Sequence, residues 1–352
     1  MMSLPKTYID GFHDPNEVRK LKYRRIGNTD MEASHIGIGG CSAGGEYGDV
    51  AEEESILTIV EAVRRGINYI DTSPAYGCGR SEEIIGKALR QLPRRSYYIA
   101  TKVGRYGSTW KDMFDFSAVR TEQSVTSSLK RLGVEYIDLV QVHDLEFVDD
   151  INQILEETLP TLRKMVEQGK VRYIGITGYP LSFLKRVVEL STTRIDTVLS
   201  YCRCTMMDQE LLNYSSFFQS RGLGILNASI TGMSLLTSQG PPSWHPATEE
   251  IKVAAKEAAL FCKSRGLDLA NVATQFTLSV SPAAVNILGC NNRNILLRNI
   301  EAATSVLTET QQQIVEEIQR KIFGPLKQTH WEGVEIEERK QALLSLTAEP
   351  AR

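Results

Sequence analysis

The chain has 352 residues, 42% hydrophobic and 24% charged, with a formal net charge of −3; this is a globular balance with ample chain for a large core. It excludes the basic field of a nucleic-acid or anionic-lipid binder, and no apolar run approaches a membrane span. The charged segment MMSLPKTYIDGFHDPNEVRK lacks the apolar stretch of a secretory signal.

Residues 1–20 read as an N-terminal extension. KYRRIG, NTDM and EASHIGIGG then predict a β-hairpin running into a first strand. From there short apolar runs alternate with segments of helical period. The runs are SHIGIGG, INYIDTS, YYIATKV, IDLVQVH, VRYIGITG, DTVLSYC, LGILNAS and AVNILGC. The segments between them include EEESILTIVEAVRRG, SEEIIGKALRQL, SAVRTEQSVTSSLKRLG, NQILEETLPTLRKMVEQG, PLSFLKRVVEL, QELLNYSSFFQSRG and a pair within 248–280. Gly66, Gly133, Gly169, Gly222 and Gly266 close several of them, as left-handed caps do. Eight β–α units predict an α/β fold, a single (β/α)8 TIM barrel over 21–334 with its N-terminal hairpin. A C-terminal helix should pack on the barrel, followed by a loosely held tail at 335–352.

IGIGGCSAGG is glycine-rich but lacks the spacing of a dinucleotide fingerprint, so a Rossmann reading is weak. Longer insertions at 104–116, 144–151 and 230–248 all follow strands, which puts them at the face where barrel enzymes build their sites. Cys41, Cys78, Cys202, Cys204, Cys262 and Cys290 show neither zinc spacing nor a dense disulfide framework. Free thiols and a reducing, cytoplasmic compartment are expected.

The chemistry gathers at the ends of the second, third and fourth runs, in Asp71, Tyr76, Lys102 and His143. Singly, Asp71 would also serve as a cap and Tyr76 as a half-buried core tyrosine. Lys102, ending an apolar strand, requires a carboxylate partner, and Asp71 is the candidate. Together the residues suit hydride transfer to or from a carbonyl. Tyr76 is the proton donor in reduction and the base in oxidation, with Lys102 lowering its pKa and Asp71 holding Lys102. His143 would orient the reacting oxygen; the sequence leaves its tautomer open.

GINYIDTSPAYG with SEEIIGKAL, YYIATKVG, SLKRLGVEYIDLVQVHD, VRYIGITG and ILGCNNRNILLRNI resemble the aldo-keto reductases, a likeness running from Lys22 to Ile322. The resemblance implies a catalytic tetrad of Asp71, Tyr76, Lys102 and His143. GRYG…FDFSA, VHDLEF, GITGYPL, LSYC and GPPSWHPA resemble the branch of L-galactose dehydrogenases, which oxidise the anomeric carbon of an aldose to a lactone with NAD. It also implies cofactor contacts at Thr177, Ser200, Ser229, Thr231, Gly289, Asn291, Arg293 and Asn299. Ala228 stands where an aromatic commonly stacks on the nicotinamide, so stacking falls to Tyr201 or is absent.

Gly289 and Ile295 stand where NADP-preferring members often carry Lys and Arg, so NAD is expected; Arg293 and Arg298 keep NADP open. Trp244 and His245 are candidate substrate contacts alongside Tyr76 and His143, or else anchors of their own loop. Arg105 and Tyr106 are expected to line the same pocket, and Asp144 and Glu146 are candidates for hydroxyl contacts. The partner expected is a small aldose or aldehyde, with no nucleic acid and no membrane; the oligomeric state stays open. Two other readings remain: an NADPH-dependent aldehyde or ketone reductase, and a non-catalytic, cofactor-sensing regulatory subunit.

Overall fold

The computed structural model describes residues 4–348. Tyr23–Arg25 (β1) and Glu32–Ser34 (β2) pair antiparallel, Tyr23 opposite Ser34. Eight parallel strands follow: Ile36–Gly39 (β3), Tyr69–Asp71 (β4), Tyr98–Val103 (β5), Ile137–Val142 (β6), Val171–Gly178 (β7), Thr197–Tyr201 (β8), Gly224–Ala228 (β9) and Val285–Gly289 (β10). They close into a barrel in chain order, β10 pairing with β3. The predicted runs and the strands coincide. Ser117, Thr248, Asp268 and Asn292 cap their helices through side-chain oxygens. The five glycines predicted as caps all have positive φ.

Alternation along the strands sorts the core into two shells. Tyr69, Tyr98, Ala100, Leu139, Leu199, Leu226, Val285 and Ile287 fill the barrel. Ile70, Ile99, Val140, Ile176 and Val198, one residue out of phase, pack under the helices. The hairpin plugs the lower end of the barrel, with Ile26 and Met31 joining the inner cluster. Its turn passes so close to β9 that a Cβ on Gly27 would lie 2.2 Å from the Gly224 nitrogen. That contact, and a φ of +50°, require glycine there.

Two expectations meet differences, and the N-terminal extension takes a definite place. The single helix expected over NQILEETLPTLRKMVEQG is a short turn, Ile151–Gln153, a π-turn, Ile154–Thr158, and a helix, Leu159–Glu167. Pro160 offers no N–H and crowds the carbonyl four residues back, so the chain widens just before it. The N-terminal extension is folded under the barrel: Asn68 donates to Thr7 Oγ1 at 2.8 Å and Val18 is buried. The expected C-terminal tail is a helix, Val334–Ala348. It has no apolar face to advertise it and is held by polar contacts; Arg339 donates to the Phe147 carbonyl at 2.8 Å. Residues 1–3 of the extension and 349–352 of the tail lie outside the described residues. No helix among those described is long and apolar enough to cross a membrane.

At the lower end Asp138, 1% exposed, accepts from Arg94 Nη2 at 2.6 Å, Arg172 Nη1 at 2.8 Å and the Ile99 N–H at 2.9 Å. Asp138→Ala takes the carboxylate from all three donors and leaves the Ile99 N–H and Arg172 Nη1 without an acceptor. Chemical denaturation should show a loss of about 3–5 kcal/mol, with the opposite, C-terminal face unaffected in ligand binding.

Candidate active site

The inward phase of the upper barrel is polar: Asp71, Lys102, Gln141 and His143 continue the rows begun by Tyr69, Ala100 and Leu139. Lys102, 2% exposed, donates to Asp71 Oδ1, to the Thr72 carbonyl at 2.9 Å and to the Tyr76 hydroxyl at 3.2 Å. Gln141 Nε2 donates to the other Asp71 oxygen at 2.8 Å. The ammonium thus has three oxygen partners, which offsets its desolvation.

Tyr76 is fixed by backbone geometry. Gly77, Cys78 and Gly79 follow it with φ of 59°, 52° and 97°. A Cβ on Gly77 would meet the Gly44 carbonyl at 2.2 Å, and one on Gly44 the Tyr76 carbonyl carbon at 2.8 Å. The glycine-rich stretch after β3 therefore serves close backbone packing against the tyrosine turn.

Burial pushes the Tyr76 phenol well above its ordinary range, and the charge of Asp71 adds to this. The expected depression by Lys102 is not met. Lys102 and Asp71 form a near-neutral pair, so little net positive charge reaches the phenol. Tyr76 holds its proton and stands as a donor.

Burial lowers His143 to about 3, Lys102 and Arg105 adding to it against Asp144, so the ring is neutral. Ser73 Oγ accepts from the Ala75 N–H at 3.1 Å, which leaves its proton for His143 Nδ1 at 3.2 Å. The Nε2 nitrogen then carries the hydrogen; it lies 3.6 Å from Asp144 Oδ2, too far for a good bond, and is free to donate to a substrate oxygen.

Above these groups Asp144, with φ of 48°, turns its carboxylate to Arg105 Nη1 at 2.7 Å. Burial would raise this carboxyl; the charge and hydrogen bond of Arg105 hold it low. A proton donor, a fixed ammonium and a neutral imidazole around one mouth can exchange a proton with a carbonyl or carbinol oxygen.

The model of the aldo/keto reductase family matches residues 35–320. The chain belongs to that family. L-Galactose dehydrogenase of Arabidopsis thaliana is 39% identical over 316 residues, covering 89% of this chain and 97% of that protein. D-Arabinose 1-dehydrogenase of Saccharomyces cerevisiae is 35% identical over 320 residues, covering 85% and 93%. Among solved structures, an aldo-keto reductase from Bacillus halodurans in its holo form has a TM-score of 0.67 at 24% identity, covering 85% of this chain and 96% of that one, and so shares the fold.

Aldo/keto reductases use a nicotinamide nucleotide, and the rim from β7 to β10 has donors to hold one. Thr177 points inward, and the hydroxyls of Thr177 and Thr231 have no hydrogen-bond partner among the described residues. Gly289 is exposed, and Asn299 Nδ2 donates to its carbonyl at 3.1 Å. Ser229 reaches Cys202, while the Asn291 carbonyl accepts from Ser55 Oγ at 3.2 Å. Arg293 Nε is paired with Glu61 at 2.9 Å. Ser200 is placed differently from expectation: it shares the outward phase of Val198, so its buried, unpartnered hydroxyl faces the helix layer.

Of the pocket candidates, Trp244 is 49% exposed and lies against Tyr47, ring centroids 5.7 Å apart. His245 is an anchor of its own loop: Nε2 meets the Gly232 carbonyl at 2.9 Å and Nδ1 accepts from the Ala247 N–H at 3.0 Å. Tyr106 is likewise turned into packing, its hydroxyl accepting from the Gly104 N–H at 2.8 Å. Glu146 Oε1 accepts from the Tyr179 N–H at 2.9 Å, with its other oxygen buried and unpartnered. Gln141 and Ser73 were not found from the sequence. For Gln141 a signal existed: it lies two residues before His143 on β6, hence in the same inward row.

Two predictions follow from these contacts. Lys102→Met leaves Asp71 buried without its cation, and unfolding should cost about 3–5 kcal/mol less than in the wild type; adding Asp71→Leu should restore stability but not turnover. His143 is neutral when folded and titrates near its ordinary value when unfolded, so its contribution is complete above pH 6.5 and is lost as pH falls. Compared with His143→Gln by denaturant titration, the wild type should lose up to about 1.4 kcal/mol more per pH unit between pH 6 and 4.

Proposed function

We propose that the protein is an aldose 1-dehydrogenase of the L-galactose dehydrogenase type, taking the anomeric carbon to an aldonolactone with NAD. The observation that carries this reading is the proton-transfer group under a polar mouth, Tyr76, Lys102 and neutral His143 beneath Arg105 and Asp144. The two relatives matched along nearly their whole lengths are named as dehydrogenases of aldoses. A bound nicotinamide supplies the hydride acceptor.

The chain's own residues manage the proton and the pose. His143 Nε2–H donates to the anomeric oxygen; Tyr76, having first released its own proton to solvent, takes the proton of the anomeric hydroxyl and becomes the phenol again. Lys102, held by Asp71 and Gln141, sits 3.2 Å from the Tyr76 oxygen and stabilises the phenolate that exists before the proton arrives. Thr177 and Thr231 would hold the nucleotide with Asn291 and Asn299. NAD is favoured because Gly289 and Ile295 bring no cation to the adenosine end and Arg293 is engaged by Glu61.

The test is reduction of NAD and of NADP, followed by absorbance of the reduced nicotinamide, against L-galactose, D-arabinose and other aldoses. Oxidation with NAD is expected; turnover of simple aldehydes with NADPH alone would replace this reading by a reductase. Tyr76→Phe should lower kcat by about 10²–10⁴-fold while the dissociation constant for NAD, from tryptophan fluorescence, stays near the wild-type value.

A further inference from the structure

The helix Val334–Ala348 lies outside the eight β–α units, yet its first turn reaches the barrel mouth. Trp331, just before it, stacks on Tyr179 at 4.9 Å and 19°, and its backbone N–H donates to the Tyr179 hydroxyl at 3.1 Å. Tyr179 in turn leans on Tyr201 at the end of β8, ring centroids 5.3 Å apart. This fixes where the helix begins. Arg339 fixes its rotation, donating to the Phe147 carbonyl at 2.8 Å and to Asp149 Oδ1 at 3.0 Å in the loop after β6.

Glu335 precedes Arg339 by one helical turn and shares its face. That face is therefore pinned over the mouth, with Glu335 between the loop after β6 and the end of β8. Its carboxyl feels the charges of Arg105 and Asp144, and acts on Tyr201 and Cys202 in return. Still, it accepts no hydrogen bond from any described residue. Arg105 gives its short bond to Asp144 rather than to Glu335.

Glu335 is half-buried, so solvent donates to its carboxyl when the site is empty, and a substrate that displaces that solvent must replace those donors, as a polyhydroxylated one does. We propose that Glu335 accepts a hydrogen bond from a hydroxyl of the aldose remote from the anomeric carbon, and so sets the preference for sugars over simple aldehydes. The inference rests on the proposed dehydrogenase reading and adds the group that recognises the sugar. Burial pushes this carboxyl up to about 7, Asp144 and Glu338 adding to the rise and Arg105 opposing it. A group so poised both accepts from and donates to a hydroxyl.

The experiment compares Glu335→Gln with the wild type in two assays on the full chain: NAD-linked oxidation of the best aldose, and reduction of propanal, which has no hydroxyl to recognise. The KM for the aldose should rise about tenfold more than that for propanal, with kcat for the aldose changed far less than KM. An unchanged aldose KM overturns the proposal. So does an equal rise for both substrates, since Glu335 would then only be propping Arg105. Should Glu335→Gln fail to fold, Arg339→Ala, which frees the helix from the loop after β6, is read by the same two outcomes. A wild type that oxidises no aldose but reduces propanal overturns the dehydrogenase reading instead, and is told apart because it needs no variant.

Discussion

The structure depends on one costly arrangement: an ammonium buried at 2% exposure inside a barrel. Lys102 can stay there only if oxygen atoms surround it, and Asp71, Thr72 and Tyr76 must come from the next strand and the loop beyond it to do so. Asp71 in turn needs Gln141 from β6 for its second oxygen. Three strands are thereby locked in height relative to one another. The left-handed turn after Tyr76 and the glycine packing against Gly44 follow from the same demand, because the phenol must reach the ammonium.

This pair also sets the electrostatics of the mouth. Because Lys102 and Asp71 cancel at short range, the floor of the site is close to neutral, and burial then decides the neighbours: Tyr76 keeps its proton and His143 stays uncharged. Both groups present hydrogens toward the opening. Above it lie a second ion pair, Arg105 with Asp144, and the Glu335 carboxyl. The site is layered, with the Lys102 pair, the phenol and the neutral imidazole below and these charged groups above.

The barrel was legible in the sequence because each strand is a short apolar run and several helices are closed by a glycine in the left-handed region. The meeting of Asp71, Tyr76, Lys102 and His143 was legible because a lysine at the end of an apolar strand requires polar partners. What escaped depends on the phase of a side chain or on contacts across the fold. Ser200 is one residue out of phase with the inward row, so a hydroxyl expected at the cofactor faces the helices. His245 and Tyr106 are polar aromatics in site loops, but backbone groups consume their hydrogen-bonding atoms. The helix at 334–348 was read as a tail because its polar residues are spread around every face; only contacts across the fold, such as Arg339 on the loop after β6, hold it.

These misses share a cause that bears on specificity. Pattern in a sequence reports how an element buries apolar area, and so reports the scaffold and any charge the scaffold must compensate. Groups that recognise a substrate carry no such pattern, since what satisfies them is the ligand. On the proposal above, Glu335 is the extreme case: its helix owes its place to Trp331 and Arg339, and its carboxyl accepts from none of the described residues. The barrel below is held by Asp138 and the hairpin plug at one end and by the Lys102 pair at the other. A segment laid across its open end can therefore change what is recognised without disturbing how the proton moves.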